Sequence, residues 1–119
     1  MTKDNLSAIF VIVDGIVQGV GFRSFAVKTA NKFSIAGFVQ NLKDGTVKIL
    51  AQGSKNDINE FLNEIKNAPR PIDVEKISAK EIRIMLGLKR FEIVTGTMAS
   101  EMMEGFDTLA SIIGEWGKD

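Results

Sequence analysis

Residues 13–23, Val-Asp-Gly-Ile-Val-Gln-Gly-Val-Gly-Phe-Arg, decide how this chain folds. A continuous apolar run at 8–13 leads into the stretch and predicts a central strand that is buried on both faces. Apolar residues with helical spacing begin near Phe22 and continue to Phe33. The stretch therefore predicts a glycine-rich turn between a strand and a helix. Three glycines are expected in this turn: Gly15, Gly19 and Gly21.

A turn of this composition is suited to binding an anion. Glycines allow successive backbone N–H groups to point toward one centre, and the first turn of a helix leaves its N–H groups without partners. Arg23 adds a planar, permanently charged guanidinium that matches phosphate oxygens. The stretch lacks the Lys-Ser/Thr of a Walker motif and the glycine spacing of a dinucleotide fingerprint. A merely structural turn with a surface arginine is the alternative interpretation.

The composition of the chain argues against several classes of partner and of chemistry. The 119 residues suit one domain, and 15 basic residues balance 15 acidic ones. This balance gives no electrostatic argument for nucleic acid or a membrane as partner. Cys and His are absent, which removes thiolate chemistry, the commonest general base and the commonest transition-metal ligand. We expect no metal site and no cofactor.

Targeting signals are not apparent in the sequence. The apolar run at 8–13 is too short for the core of a signal peptide, and it follows both Lys3 and Asp4. No run approaches the length needed to cross a bilayer. The expected location is therefore the cytoplasm.

The rest of the chain predicts an α+β domain. The expected elements are strands at 8–13, 38–41, 46–51, 74–84 and 90–94, with helices at 22–33 and from Ser54 onward. Asp44 and Gly45 predict a hairpin turn, Gly53 is expected to end its strand, and Ser54 with Asp57 resembles a capping box. This order fits a ferredoxin-like split β-α-β sandwich, with an antiparallel sheet and two helices on one face. Charged residues along 74–84 suit an edge strand.

A separate segment is expected after Gly96, which divides the chain into a domain at 1–96 and an extension at 97–119. Apolar residues recur in the extension every three or four positions and predict an extra amphipathic C-terminal helix. They are Met98, Met102, Phe106, Leu109, Ile113 and Trp116. The helix either folds back over the open sheet face or pairs with its copy in a homodimer.

Two motifs in this sequence resemble the signatures of the acylphosphatase family. The first signature matches Gly15, Val17, Gln18, Gly19, Val20, Phe22 and Arg23. The second matches Gly37, Phe38, Val39, Asn41, Gly45, Val47 and Gly53. The resemblance spans roughly residues 7–94 and implies the same ferredoxin-like fold.

The resemblance also implies an activity and a site. It implies hydrolysis of a small acyl phosphate to a carboxylate and inorganic phosphate, without a metal. Arg23 would bind the phosphoryl group together with a phosphate-binding loop made of Gln18, Gly19, Val20, Gly21 and Phe22. Asn41 falls on the family's catalytic amide and would hold the attacking water, although a strand-end Asn is more often a turn residue. Thr46 matches a hydroxyl that could support Asn41, whereas Ile16 occupies a position that is often basic.

Two other functions stay open at this point. Hydrogenase-maturation carbamoyltransferases begin with a similar domain, so a non-hydrolytic phosphate or carbamoyl-phosphate binding module is the main alternative. An RNA-binding module shares the topology, but it needs stacking aromatics and a basic surface. The strand at 46–51 has no aromatic residue, which argues against RNA.

Overall fold

The computed structural model describes residues 6–95, which form one five-stranded sheet with two helices. The elements are β1 (Leu6–Ile16), α1 (Phe22–Lys32), β2 (Ala36–Asn41), β3 (Val47–Ser54), α2 (Lys55–Lys66), β4 (Asp73–Ile82) and β5 (Phe91–Val94). The predicted order of strands and helices is confirmed, as is the ferredoxin-like class. The extra helix predicted at 97–119, and the homodimer contact through it, lie outside the described residues. Neither α1 nor α2 is long and apolar enough to cross a membrane.

The sheet has the strand order β4-β1-β3-β2-β5. The first four strands pair antiparallel, as predicted, but β5 pairs parallel with β2, so the sheet is mixed. The reason is the connection at 83–90, which carries the chain from one edge of the sheet to the other. The charged strand β4 lies at an edge, which confirms that prediction. The parallel pair brings the carboxyl ends of β2 and β5 to the same end of the sheet.

Strand β1 extends farther than the apolar run indicated. It continues to Ile16, and after a register shift at Asp14 its residues Gly15 and Ile16 pair with Val74 and Asp73 of β4. A Cβ on Gly15 would lie 2.2 Å from the Asp73 carbonyl oxygen. The expectation that Gly15 belongs to the turn was therefore wrong. Gly15 lies within β1, where the lack of a side chain lets β1 and β4 approach closely.

The end of β3 also differs from the expectation. Gly53 does not end the strand, since it pairs with Ser7 and the strand continues to Ser54. A Cβ on Gly53 would lie 3.0 Å from Ile35 Cδ1, so the glycine makes room for a neighbouring side chain. Ser54 then caps α2 by accepting a hydrogen bond at 3.0 Å from the Asp57 N–H, which confirms the predicted cap.

The core lies between the sheet and the two helices. Alternate residues of β1 and β3 face the helices, including Val11 and Ile49, and Phe22 and Phe61 of the helices cover them. A smaller cluster occupies the opposite face of the sheet: Phe10, Phe38, Leu50 and Val94. The connection at 83–90 covers part of this second face.

The Gln52 side chain fastens this connection to the sheet. Its Nε2 donates to the Met85 carbonyl at 2.9 Å, and its Oε1 accepts from the Met85 N–H at 2.7 Å. Gln52 is buried, so the reciprocal pair satisfies a polar group that would otherwise be costly to bury.

Candidate active site

One small pocket lies where α1 begins and where β2 and β5 end. Its volume is about 120 Å³. The residues that line it are Val17, Gly19, Gly21, Phe22, Arg23, Ser24, Asn41 and Ile93. The pocket therefore brings together the arginine and the asparagine that the two motifs singled out.

The loop before α1 depends on two glycines in the left-handed region. Gly19 has φ 75° and Gly21 has φ 83°, and nothing lies within 4 Å of a Cβ built on either residue. A residue with a side chain would be strained in this region by about 1–2 kcal/mol, so conformation rather than space requires glycine here. Both glycines border the pocket with their backbone.

The amino end of α1 has no side-chain cap and no nearby negative charge on the helix. Gly21 is the N-cap residue, so no side chain caps the helix, and the first turn contains no acidic residue. The first N–H groups of a helix have no partner within the helix, and the helix dipole is positive at this end. Both properties favour a bound anion beside Gly21 and Phe22.

Buried side chains on either side of the loop hold it in place. Val17 and Phe22 are almost fully buried in the main core, and Val20 packs against the same core. The loop is thus anchored by apolar contacts while its glycines remain exposed. These apolar contacts hold the loop backbone against the core, and the polar side chain of the loop, Gln18, adds hydrogen bonds to the neighbouring hairpin.

Arg23 lies in the first turn of α1, is half-buried and lines the pocket. Within residues 6–95 the salt bridge joins Lys32 Nζ to Glu64 Oε2 at 2.7 Å, and no carboxylate pairs with Arg23. A partly buried guanidinium without a protein counter-charge can bind an anionic ligand strongly.

Asn41 is the last residue of β2 and shares the helix-covered face of the strand with Val39. Its Oδ1 is buried and accepts no hydrogen bond from the described residues. An unsatisfied buried acceptor typically costs about 1–3 kcal/mol, so such groups often mark a place where a ligand or water donates. Asn41 lines the pocket together with Arg23 and the loop glycines.

The hairpin after Asn41 is fixed by its own hydrogen bonds. The Leu42 N–H donates to the Thr46 carbonyl at 2.9 Å, and Asp44 Oδ1 accepts from the Thr46 N–H at 3.0 Å and hydroxyl at 2.6 Å. The hydrogen bond from the Thr46 hydroxyl, together with that from its N–H, lowers the pKa of Asp44. Asp44 is a turn residue, as predicted. Support of Asn41 was one possible role for the Thr46 hydroxyl, and this hydroxyl donates to Asp44.

The other loop residues of the first motif have different positions. Gln18 and Val20 do not line the pocket, and the Gln18 side chain donates to the Leu42 and Thr46 carbonyls. Gly19, Gly21 and Phe22 do line it. Only the backbone of Gln18 and Val20 is left to serve a phosphate-binding loop.

Three residues of the pocket were not among the predicted site residues: Val17, which belongs to the first motif, and Ser24 and Ile93, which belong to neither motif. Val17 and Ser24 could have been found from their position beside the loop. Ile93 is 38% exposed and comes from the last strand. Only the parallel pairing of β5 with β2 reveals that it lies near Asn41.

The acidic side chains near the pocket do not form a metal site among the residues that the structure describes. In the part of the chain that the structure describes, no three acidic, His or Cys side chains form a group that could hold a metal ion. Asp14, the carboxylate nearest the loop in sequence, is exposed and accepts a hydrogen bond from the Gly15 N–H at 2.8 Å. It does not line the pocket.

Comparison with known proteins gives one consistent result. The acylphosphatase family model matches residues 9–93. An acylphosphatase of Chlorobaculum tepidum is 39% identical over 87 residues, which cover 73% of this chain and 95% of that protein. The crystal structure of acylphosphatase from Bacillus subtilis superposes with a TM-score of 0.71 at 45% identity, over 75% of this chain and 98% of that one.

A much larger relative matches this chain over one short segment of its length. A probable carbamoyltransferase, HypF, of Methanocaldococcus jannaschii is 38% identical over 94 residues, which are 78% of this chain but 12% of that protein. The two acylphosphatases are matched over 95% and 98% of their length, and the family model includes both motifs and at least part of every strand of the sheet. On this evidence the chain belongs to the acylphosphatase family.

Proposed function

We propose that this protein hydrolyses acyl phosphates to a carboxylate and inorganic phosphate, with Arg23 and Asn41 as its catalytic residues. The observation that carries the proposal is that Arg23, Asn41 and the amino end of α1 line one pocket of about 120 Å³. Family membership supports the reaction, and the geometry supports the roles of the residues.

Binding of the phosphoryl group falls to the loop and to Arg23. The N–H groups around Gly19, Gly21 and Phe22 can donate to non-bridging oxygens, and the Arg23 guanidinium can add a charged, two-pronged contact. These donors are fixed before the substrate arrives, because Val17 and Phe22 are packed in the core. Preorganised donors stabilise developing charge most effectively in such sites.

The role of Asn41 is to orient the attacking water. Its buried Oδ1 has an unused acceptor site toward which a water O–H can donate. An amide is too weak a base to remove a proton, but this reaction does not require a strong base. The leaving group of an acyl phosphate is a carboxylate, which departs without protonation. Catalysis then consists mainly of positioning and charge stabilisation, and the phosphoryl group itself can take the proton from water.

The test is the hydrolysis of benzoyl phosphate by the 119-residue chain in the presence of a chelator. Asn41→Ala should lower kcat by about 10²–10³-fold, while inhibition by inorganic phosphate remains near normal. Arg23→Ala should lose both turnover and phosphate affinity, because the guanidinium contacts the anion in ground and transition states. Asn59→Ala and Lys28→Ala, exposed on α2 and α1, are the matched controls and should change neither quantity.

Near-normal turnover by Asn41→Ala would refute the assigned role. The HypF relative suggests the main alternative, a module that binds phosphate or carbamoyl phosphate without hydrolysing it. A wild-type chain that binds phosphate but does not hydrolyse benzoyl phosphate would establish this alternative. If adding the chelator abolishes hydrolysis by the wild-type chain, metal-independent hydrolysis is contradicted.

A further inference from the structure

The Gln18 side chain bridges the loop and the hairpin that follows Asn41. Its Nε2 donates to the Leu42 carbonyl at 2.7 Å and to the Thr46 carbonyl at 2.9 Å. A side-chain amide has two N–H hydrogens, so both donors are engaged by the hairpin. The remaining Oε1 is an acceptor and cannot donate to a phosphate oxygen. The side chain is therefore not a phosphate ligand.

The two carbonyls are the ones that close the hairpin. The Thr46 carbonyl also accepts from the Leu42 N–H at 2.9 Å, and the Leu42 carbonyl also accepts from the Gly45 N–H at 3.2 Å. Gln18 thus contacts the first turn of the hairpin at the residue directly after Asn41. Any displacement of Leu42 would move the Asn41 backbone with it.

Among the described residues, the strand pairing of the sheet does not connect the loop at 17–21 to the hairpin at 42–46. The ladder between β1 and β3 runs from Leu6 opposite Ser54 to Val13 opposite Val47 and ends there. Beyond Val13, the last residues of β1 pair with β4, on the other side. In residues 6–95, the hydrogen bonds that join the loop at 17–21 to the hairpin at 42–46 are the two from Gln18.

We propose that Gln18 is a positioning residue, which fixes the distance between the phosphate-binding loop and Asn41. This inference rests on the proposed function, because the loop places the phosphorus atom and Asn41 places the water. In-line attack needs these two parts in register, and a misplacement of about 1 Å can cost about 10²-fold in rate. Gln18 acts through the hairpin and does not touch the substrate.

The test compares Gln18→Met with Gln40→Met in the 119-residue chain. Methionine has a similar length and no N–H donor, so the substitution removes the bridge with little change in volume. Gln40 is the matched control, since it precedes Asn41 on β2, points to the opposite face of the sheet and forms no hydrogen bond among the described side chains. Gln18→Met should lower kcat for benzoyl phosphate about 10- to 100-fold. Gln40→Met should retain the wild-type kcat.

Phosphate binding, measured as inhibition by inorganic phosphate, distinguishes a positioning role from general damage to the structure. A positioning role lowers kcat alone, whereas structural damage lowers kcat and phosphate affinity together. Because the loop keeps its own apolar anchors, inhibition by inorganic phosphate should change by less than about threefold in Gln18→Met, which is a loss confined to the transition state. A wild-type kcat in Gln18→Met would overturn the proposal. So would a parallel loss of phosphate affinity, because Gln18 would then be shaping the loop itself.

Amide hydrogen exchange separates failure of this inference from failure of the proposed function. Loss of the bridge should speed exchange of the Leu42 and Gly45 N–H groups, which lie within the bridged hairpin, with no change at Ile49 in the sheet. Unchanged exchange at Leu42 and Gly45 would overturn the positioning role, even if the wild-type chain proved inactive. If Gln18→Met does not fold, Gln18→Asn, which keeps the amide but is one methylene shorter, is measured in the same way and should show the same selective loss of kcat.

Discussion

Replacement of Gly37 by alanine should destabilise the protein far more than replacement of Gly45. Both glycines belong to the second motif and both have positive φ, 144° for Gly37 and 94° for Gly45. The space around them differs. A Cβ on Gly37 would lie 1.8 Å from the Leu50 carbonyl oxygen, whereas nothing lies within 4 Å of a Cβ on Gly45. The first substitution combines strain with a collision, and the second adds strain alone.

The expected magnitudes follow from this difference. Backbone strain at an unfavourable φ costs about 1–3 kcal/mol. Forcing extra volume into a packed region costs about 1–3 kcal/mol more. The collision at Gly37 is with backbone, which cannot rotate aside, so Gly37→Ala should lose toward the upper end of about 2–6 kcal/mol. Gly45→Ala should lose about 1–2 kcal/mol.

Guanidinium denaturation followed by far-ultraviolet circular dichroism measures both values. Each kcal/mol should lower the melting temperature by about 4–8 °C for a domain of this size. Gly45→Ala should stay folded at room temperature, while Gly37→Ala should be unfolded or close to its midpoint. Equal losses in the two variants would refute the reasoning, because they would mean that the close approach of β2 and β3 at Gly37 is not rigid.

Two further predictions concern the hairpin and α2. Asp44 has a lowered pKa because it accepts hydrogen bonds from Thr46, so its contribution to stability is present above the ordinary value of 3.8 and is lost as the pH falls through the lower folded value. Asp44→Asn should therefore lessen the fall in stability below about pH 4, and an unaltered acid profile would contradict this linkage. Ser54→Ala removes the cap that accepts from the Asp57 N–H and should cost about 1 kcal/mol in urea denaturation. Ser78→Ala, at an exposed position on β4, is the control, and an equal cost there would show that capping is not the cause.

Local patterns predicted most of the fold because each element carries its own signal. The apolar run at 8–13, the Asp44-Gly45 turn and the Ser54 cap all specify structure over a few residues. The errors arose where a glycine served packing between distant segments. Gly15 and Gly53 looked like chain breakers, but each lies within a strand: backbone of β4 leaves no room for a Cβ on Gly15, and the Ile35 side chain packs closely against Gly53. Sequence spacing alone does not contain that information.

The site was predictable in its two motif residues and not in its surroundings. Arg23 and Asn41 were named from the motifs, and the structure brings both to one pocket. Gln18 was placed in the phosphate-binding loop for its backbone, and no pattern indicated that its side-chain amide donates to the hairpin. Which carbonyl an amide reaches depends on the three-dimensional path of the loop. The position of Ile93 depends on the parallel pairing of β5, which no local pattern indicated.

The parallel pairing of β5 with β2 also affects how activity is acquired during folding. The pocket takes residues from the first loop, from the end of the second strand and from the final strand, which are far apart along the chain. Such long-range closures are slow, and a partly assembled chain lacks at least one wall. Turnover should therefore report completion of the whole topology, so that in a refolding experiment it rises only with the last spectroscopic phase and never with early helix formation.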